Sequence, residues 1–185
     1  MTHEDVPFLL ETRLEALLFQ VLDSAIEASG ADFGNIQLVI PASHHLKIVV
    51  QRGFHQPFLD FFRIVADPNC GCGAAMHKGT RVIVRDVSSS PVFGEAGRQV
   101  MLDAGALACQ STPIVRESQL VGMLNTHYRR PFRPSRQQLL RVDRLARRAA
   151  LLLDVEPKPA KLAIIRRAIE EFRETSPKTR TVRGR

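Results

Sequence analysis

No apolar run in this chain approaches the length needed to cross a bilayer. The start, with Glu4 and Asp5 ahead of a mixed helical pattern, does not read as a signal peptide. Cysteine is scarce. Its three residues, Cys70, Cys72 and Cys109, make no even framework of the kind that staples small secreted domains, which points to a reducing, cytoplasmic setting. A recognisable kinase, cyclase or phosphodiesterase signature is also missing. What is present is a 185-residue chain with 44% hydrophobic residues, enough for one well-cored domain plus an appendage.

The net charge of +7 is unevenly spread. Residues 1–32 hold Arg13 against seven acidic residues, a balance of −6, whereas residues 129–148 hold eight arginines against Asp143, a balance of +7. Residues 156–185 add a further +5. A folded nucleic-acid face is one reading of such segregation. The simpler one has the first and last helices side by side, or meeting across a dimer, with complementary charge; on that reading nucleic acid is not expected as a partner.

Residues 105–128, GALACQSTPIVRESQLVGMLNTHY, organise the rest. Two apolar-rich runs, 107–115 and 120–128, flank the polar connection Arg116-Glu117-Ser118-Gln119, the pattern of a β-hairpin. Both runs carry polar side chains that a plain core strand lacks: Cys109, Gln110, Ser111 and Thr112, then Asn125, Thr126 and His127. Buried polar groups need partners, and a small ligand can supply them. A three-residue turn pairs Ser111 with Met123 and Cys109 with Asn125; a four-residue turn or a bulge changes the register.

The remaining pattern is helical over 8–29, with Leu14, Leu17, Leu18, Val21, Leu22, Ala25 and Ile26 in one stripe, then strands over 35–40 and 46–51. His44 and His45 lie in the turn between them, where a solvated role outweighs metal ligation. From Gly53 a second helical piece carries Phe54, Phe58, Phe61, Phe62 and Ile64; Phe58, Phe61 and Phe62 share a face as core or pocket wall. The small-residue stretch around Cys70-Gly71-Cys72-Gly73 fits close packing better than zinc, because Cys70, Cys72 and His77 match no common site spacing. A strand over 81–87 ending at Asp86, a helix over 95–104, and a long helix to about Asp154 opened by a Ser135/Gln138 capping box follow. A short helix over 160–174, with Leu162, Ile165 and Ile169 on one face, precedes a basic, disordered end.

In this order the chain resembles a bacterial GAF domain, the small-molecule sensor module found beside histidine kinases in two-component signalling. GNIQLVIPASHHLKIVVQRGF, CGCGAAMHKGTRVIVRDV and QSTPIVRESQLVGMLNTHYRRPFRPS carry the likeness. It implies an α+β fold, GAF/PAS-like, with a central antiparallel sheet, N- and C-terminal helices on one face and a ligand pocket on the other. The expected division is a GAF domain over 1–155 and a basic tail over 156–185. Asp86, in the family's strand-ending pattern, is expected to be structural.

The resemblance also implies a site. The cyclic-nucleotide signature of the family is not found, and the bilin-attaching cysteine is missing near 98–102. Matched on its last strand, His127 falls where phytochromes place a pocket histidine and Ser111 where they place a pocket serine. The methionine sulfoxide reductase relatives use cysteines that Cys70, Cys72 and Cys109 do not reproduce. The expected contacts with an unknown small-molecule ligand are Phe58, Phe62, Cys72, Cys109, Ser111, Asn125 and His127; the alternative is that the polar members satisfy one another as a buried network. No catalytic residue, metal or cofactor is assigned. The expected function is non-catalytic sensing with output through the terminal helices, as a homodimer and with a histidine kinase or other signalling protein as partner. A structural dimerisation module with a degenerate pocket and a thiol-redox sensor or reductase are the alternatives.

Overall fold

The computed structural model describes residues 5–155, 161, 163–168 and 170, with side chains from residue 12 onward and that of Val155 excepted. The expectations for Leu162, Ile169 and the basic end lie outside the described residues. Six strands form one antiparallel sheet: β1 (Phe33–Val39), β2 (Leu46–Arg52), β3 (Ile64–Val65), β4 (Val82–Val84), β5 (Ala108–Arg116) and β6 (Gln119–Tyr128). Their spatial order is β3-β2-β1-β6-β5-β4. β1 and β6 therefore lie at the centre, and almost every residue of β1 is buried because both faces of the sheet are covered.

Strand alternation divides the molecule into two cores. On one face, Ile36, Leu38, Ile114 and Leu124 pack against α1 (Asp5–Ser29) and α5 (Arg136–Val155) through Leu14, Leu18, Leu22, Val142, Ala146 and Ala149. Ile164 and Ile165, in a helical stretch over 163–168, join this same core. On the other face, Phe33, Ile48, Cys109 and Met123 lie beneath three shorter helices: α2 (Gln56–Phe61), α3 (Gly71–Lys78) and α4 (Glu95–Asp103). A bulge beside Ile36 and Gln37 leaves Val49 without a partner. It also reverses the alternation of β2, so that Ile48 faces the short helices and Val50 the long ones.

The first and last long helices lie side by side, but apolar residues join them. Two acidic residues of α1 find partners elsewhere: Glu15 pairs with Arg167, and Asp23 takes a bidentate contact from Arg52 of β2 at 2.8 and 3.0 Å. Arg141, Arg144, Arg147 and Arg148 of α5 face outward. The capping box is formed, with Gln138 N–H donating to Ser135 Oγ at 3.3 Å and Ser135 N–H to Gln138 Oε1 at 2.9 Å.

Four local expectations are corrected. The hairpin turn has two residues, Glu117 and Ser118, both at positive φ (47° and 66°), and a bulge at Val121 then shifts the register. Ser111 consequently pairs with Asn125, and Cys109 with His127. Ile64 belongs to an edge strand and not to the preceding helix. Phe61 is 46% exposed: α2 ends there, and Phe61 stands roughly 100° round the axis from Phe62, outside the buried arc. The strand before Asp86 is only Val82–Val84, because Asp86 Oδ1 accepts from both the N–H and the hydroxyl of Ser88 and turns the chain away. These bonds hold the exposed Asp86 carboxyl below its usual pKa, a structural use of the residue.

α1 packs directly on the centre of the sheet. Leu22 is fully buried over Gly34, so Leu22→Ala is expected to cost about 2–5 kcal/mol in urea denaturation.

Candidate functional site

Each polar side chain in the second core is aimed there by its strand. β1 contributes Asn35 and Gln37, β5 contributes Cys109 and Ser111, and β6 contributes Asn125 and His127; all six line one small cavity. Phe58 and Phe62 come from α2 and the residue after it, and Cys70, Gly71 and Cys72 from the start of α3. The seven expected contacts, Phe58, Phe62, Cys72, Cys109, Ser111, Asn125 and His127, are thus brought to one place. Asn35, Gln37, Phe93 and Met101 were not anticipated as wall residues. For Asn35 and Gln37 the signal was available: two polar residues at alternate positions in a buried central strand.

The cavity measures about 20 Å³, room for a water molecule and not for a larger ligand. Its roof is a file of rings. Phe54 stacks on Phe58 at 3.6 Å between centroids, Phe58 leans on Phe62 at 4.7 Å, and the His127 ring meets Phe54 edge-on at 4.9 Å. Outside Phe62 and Cys70 lies an open groove of about 330 Å³, which these two residues share with the cavity. Outside Phe58 lies a second hollow of about 130 Å³ between α2 and α4. Phe62 and Phe58 thus stand between the small polar cavity and larger spaces on either side.

The polar floor is partly self-satisfied. Asn125 Nδ2 donates to Asn35 Oδ1 at 2.8 Å and to Gln37 Oε1 at 3.1 Å, which ties β6 to β1 through side chains as well as backbone. Asn125 Oδ1 and His127 Nδ1 are buried and have no hydrogen-bond partner among the described residues. Such orphaned atoms cost roughly 1–3 kcal/mol each, so a bound molecule that completes them gains that much.

Glycines let α3 begin so close to the floor. A Cβ on Gly73 would stand 1.8 Å from the carbonyl oxygen of Asp67, and one on Gly71 would stand 3.0 Å from Cys109 Sγ. Cys70 caps α3, its sulfur accepting from Gly73 N–H at 3.4 Å and lying 3.5 Å from Cys72 Sγ. The contact with Cys72 lowers the Cys70 thiol pKa, while the same contact and burial raise that of Cys72. Burial pushes Cys109 up to about 12. His44, by contrast, sits exposed in its turn at φ 58°.

Burial also lowers the His127 pKa from 6.5 to about 3. In the unfolded chain the imidazole takes a proton near 6.5, and in the native state only near 3. Folding is therefore penalised progressively as pH falls through that window. His127 should remove about 2 kcal/mol of stability between about pH 7 and about pH 5. Urea titrations of the wild type and of His127→Gln should differ in pH dependence by that amount.

Comparison with known proteins follows this geometry. The family model for the GAF domain matches residues 13–153. A domain of a two-component sensor histidine kinase protein from Sinorhizobium meliloti superposes with a TM-score of 0.67 at 22% identity, over 83% of this chain and 97% of that one. The type II free methionine-R-sulfoxide reductase from Thermoplasma acidophilum gives 0.64 at 14%, over 80% and 96%. The cyanobacteriochrome receptor PixJ gives 0.61 at 16%, over 78% and 98%. No curated protein matches this chain by sequence. With the family match spanning most of its length, and with the same α+β architecture in those solved structures, the chain belongs to the GAF domain family.

Proposed function

We infer that this GAF domain is a non-catalytic sensor of a small polar-aromatic molecule in bacterial signal transduction. The observation that carries the reading is the pair of orphaned atoms, Asn125 Oδ1 and His127 Nδ1, in side chains that line a small cavity walled in part by phenylalanines. A ligand donating to Asn125 Oδ1, and bonding His127 Nδ1 in either neutral tautomer, satisfies both. Its ring fits beside Phe58 and Phe62. Neighbours that include a sensor histidine kinase domain and a light receptor agree with a sensory role. The reductase neighbours share the fold, and their activity is not carried over.

A ligand larger than water enters only when Phe58 or Phe62 moves, so binding and displacement of the cover over α2 are the same event. β1 and β6 then connect the cavity to the terminal helices. Asn35, Asn125 and His127 point to one side of these strands, and Ile36, Leu38 and Leu124 to α1 and α5 on the other. The outer side of α5 exposes Leu140 and Leu151, three turns apart, which supports a second copy of the chain as the partner of that helix. A signalling protein receives the output in turn.

Native mass spectrometry of the purified protein tests this reading. The expected result is a dimer retaining a small molecule that the double variant Asn125→Leu, His127→Leu releases while still dimerising. Equal ligand retention by the variant contradicts the assigned site. Signalling left intact in that variant favours a structural module with a degenerate pocket, and a monomer at high concentration contradicts the helix-mediated assembly.

A further inference from the structure

Three free thiols gather where α3 meets the floor of the sheet. Cys70 and Cys72 are separated by one glycine, and their sulfurs lie 3.5 Å apart, about 1.5 Å more than a disulfide bond. Cys109 stands behind Gly71 on β5. Cys70 is buried and lines the outer groove of about 330 Å³, Cys72 is partly exposed, and Cys109 is buried on the sheet side. Cys72 lies on the cavity side of the same helix start as Cys70.

We propose that Cys70 and Cys72 form a hydroperoxide-responsive dithiol, with Cys70 the attacking sulfur, Cys72 the resolving sulfur and Cys109 outside the reaction. The Cys70 thiolate attacks the distal oxygen of the hydroperoxide. The O–O bond breaks, an S–O bond forms, and the departing oxygen takes a proton to leave as alcohol or water. The Cys72 sulfur then attacks the sulfenic sulfur; the S–S bond forms, the S–O bond breaks, and the hydroxyl leaves as water with the Cys72 proton. Two thiols lose two electrons, which reduce the peroxide.

Reactivity follows from the arrangement. The thiolate is the nucleophile, and the contact that lowers the Cys70 pKa keeps the shared proton on Cys72. The Gly73 N–H and the start of α3 stabilise the same anion. Cys109, with its pKa pushed up to about 12 by burial, stays a thiol. This chemistry stands apart from ligand binding, since it proceeds at the cavity wall whether or not the cavity holds a ligand.

Tryptic mapping reads it out in the full chain. Cleavage after Arg63 and Lys78 releases residues 64–78 with both Cys70 and Cys72, and cleavage after Arg98 and Arg116 isolates Cys109 in residues 99–116. After hydrogen peroxide and then alkylation, 64–78 is expected unalkylated and lighter by two hydrogens, while 99–116 carries one alkyl group. Dithiothreitol should restore double alkylation of 64–78. In Cys72→Ser, dimedone is expected to trap a sulfenic acid at Cys70. A fully alkylated 64–78 after peroxide, or a cross-link between 64–78 and 99–116, overturns the proposal in the wild-type protein without recourse to any variant.

Discussion

A sheet covered on both faces gives the polar side chains of its central strands no route to bulk water, so each must find a partner inside. In this GAF domain Asn125 answers that constraint first. Its amide nitrogen reaches Asn35 and Gln37 on the neighbouring strand, and its oxygen is left over. Everything on the pocket side is arranged around that row. The Val121 bulge brings Ser111 opposite Asn125 and Cys109 opposite His127, so one irregularity places polar groups from two strands on the same floor. Without the bulge, the body of β5 would slide by one residue against β6 and face its alternate set of side chains toward the cavity.

The cover explains how so small a cavity fits the proposed sensing role. A space of about 20 Å³ bounded by stacked rings holds no organic ligand, and larger hollows lie just outside Phe58 and Phe62. Under the proposed function, binding selects an opened arrangement, and apparent affinity is reduced to the extent that the open form is a minority. The helix α2 that carries Phe58 is only six residues long and is held mainly by its aromatic side. Cys70 lies on the wall shared by cavity and groove, with Cys72 beside it on the cavity, and the proposed covalent bond between them would stiffen the start of α3.

Much of this was legible in the amino-acid sequence, and the misses have physical causes. Polar residues within two apolar runs marked the hairpin, and the resemblance to the family singled out Cys109, Ser111, Asn125 and His127 among them; alternation then puts each strand's pair on one face. Phe58 and Phe62, four apart, marked the cover. The turn was opaque because Glu117-Ser118 lacks the Asn-Gly or Asp-Gly chemistry that announces positive φ. Phe61 was misread because aromatic content alone does not say where a short helix stops. The shortened β4 and the two-residue β3 were hidden for a related reason: the Asp86–Ser88 turn and the pairing of Ile64 and Val65 with β2 depend on tertiary contacts. Asn35 and Gln37 were visible as polar residues in a buried strand, but their roles emerged only with Asn125 across from them.

Native-state hydrogen exchange tests the central claim, that a fixed polar floor is roofed by a cover able to open by itself. Amides of α2 and α4 are predicted to exchange through openings costing several kcal/mol less than global unfolding, while those of β1 and β6 exchange only with the whole molecule. Equal protection in the cover helices and the central strands would contradict it.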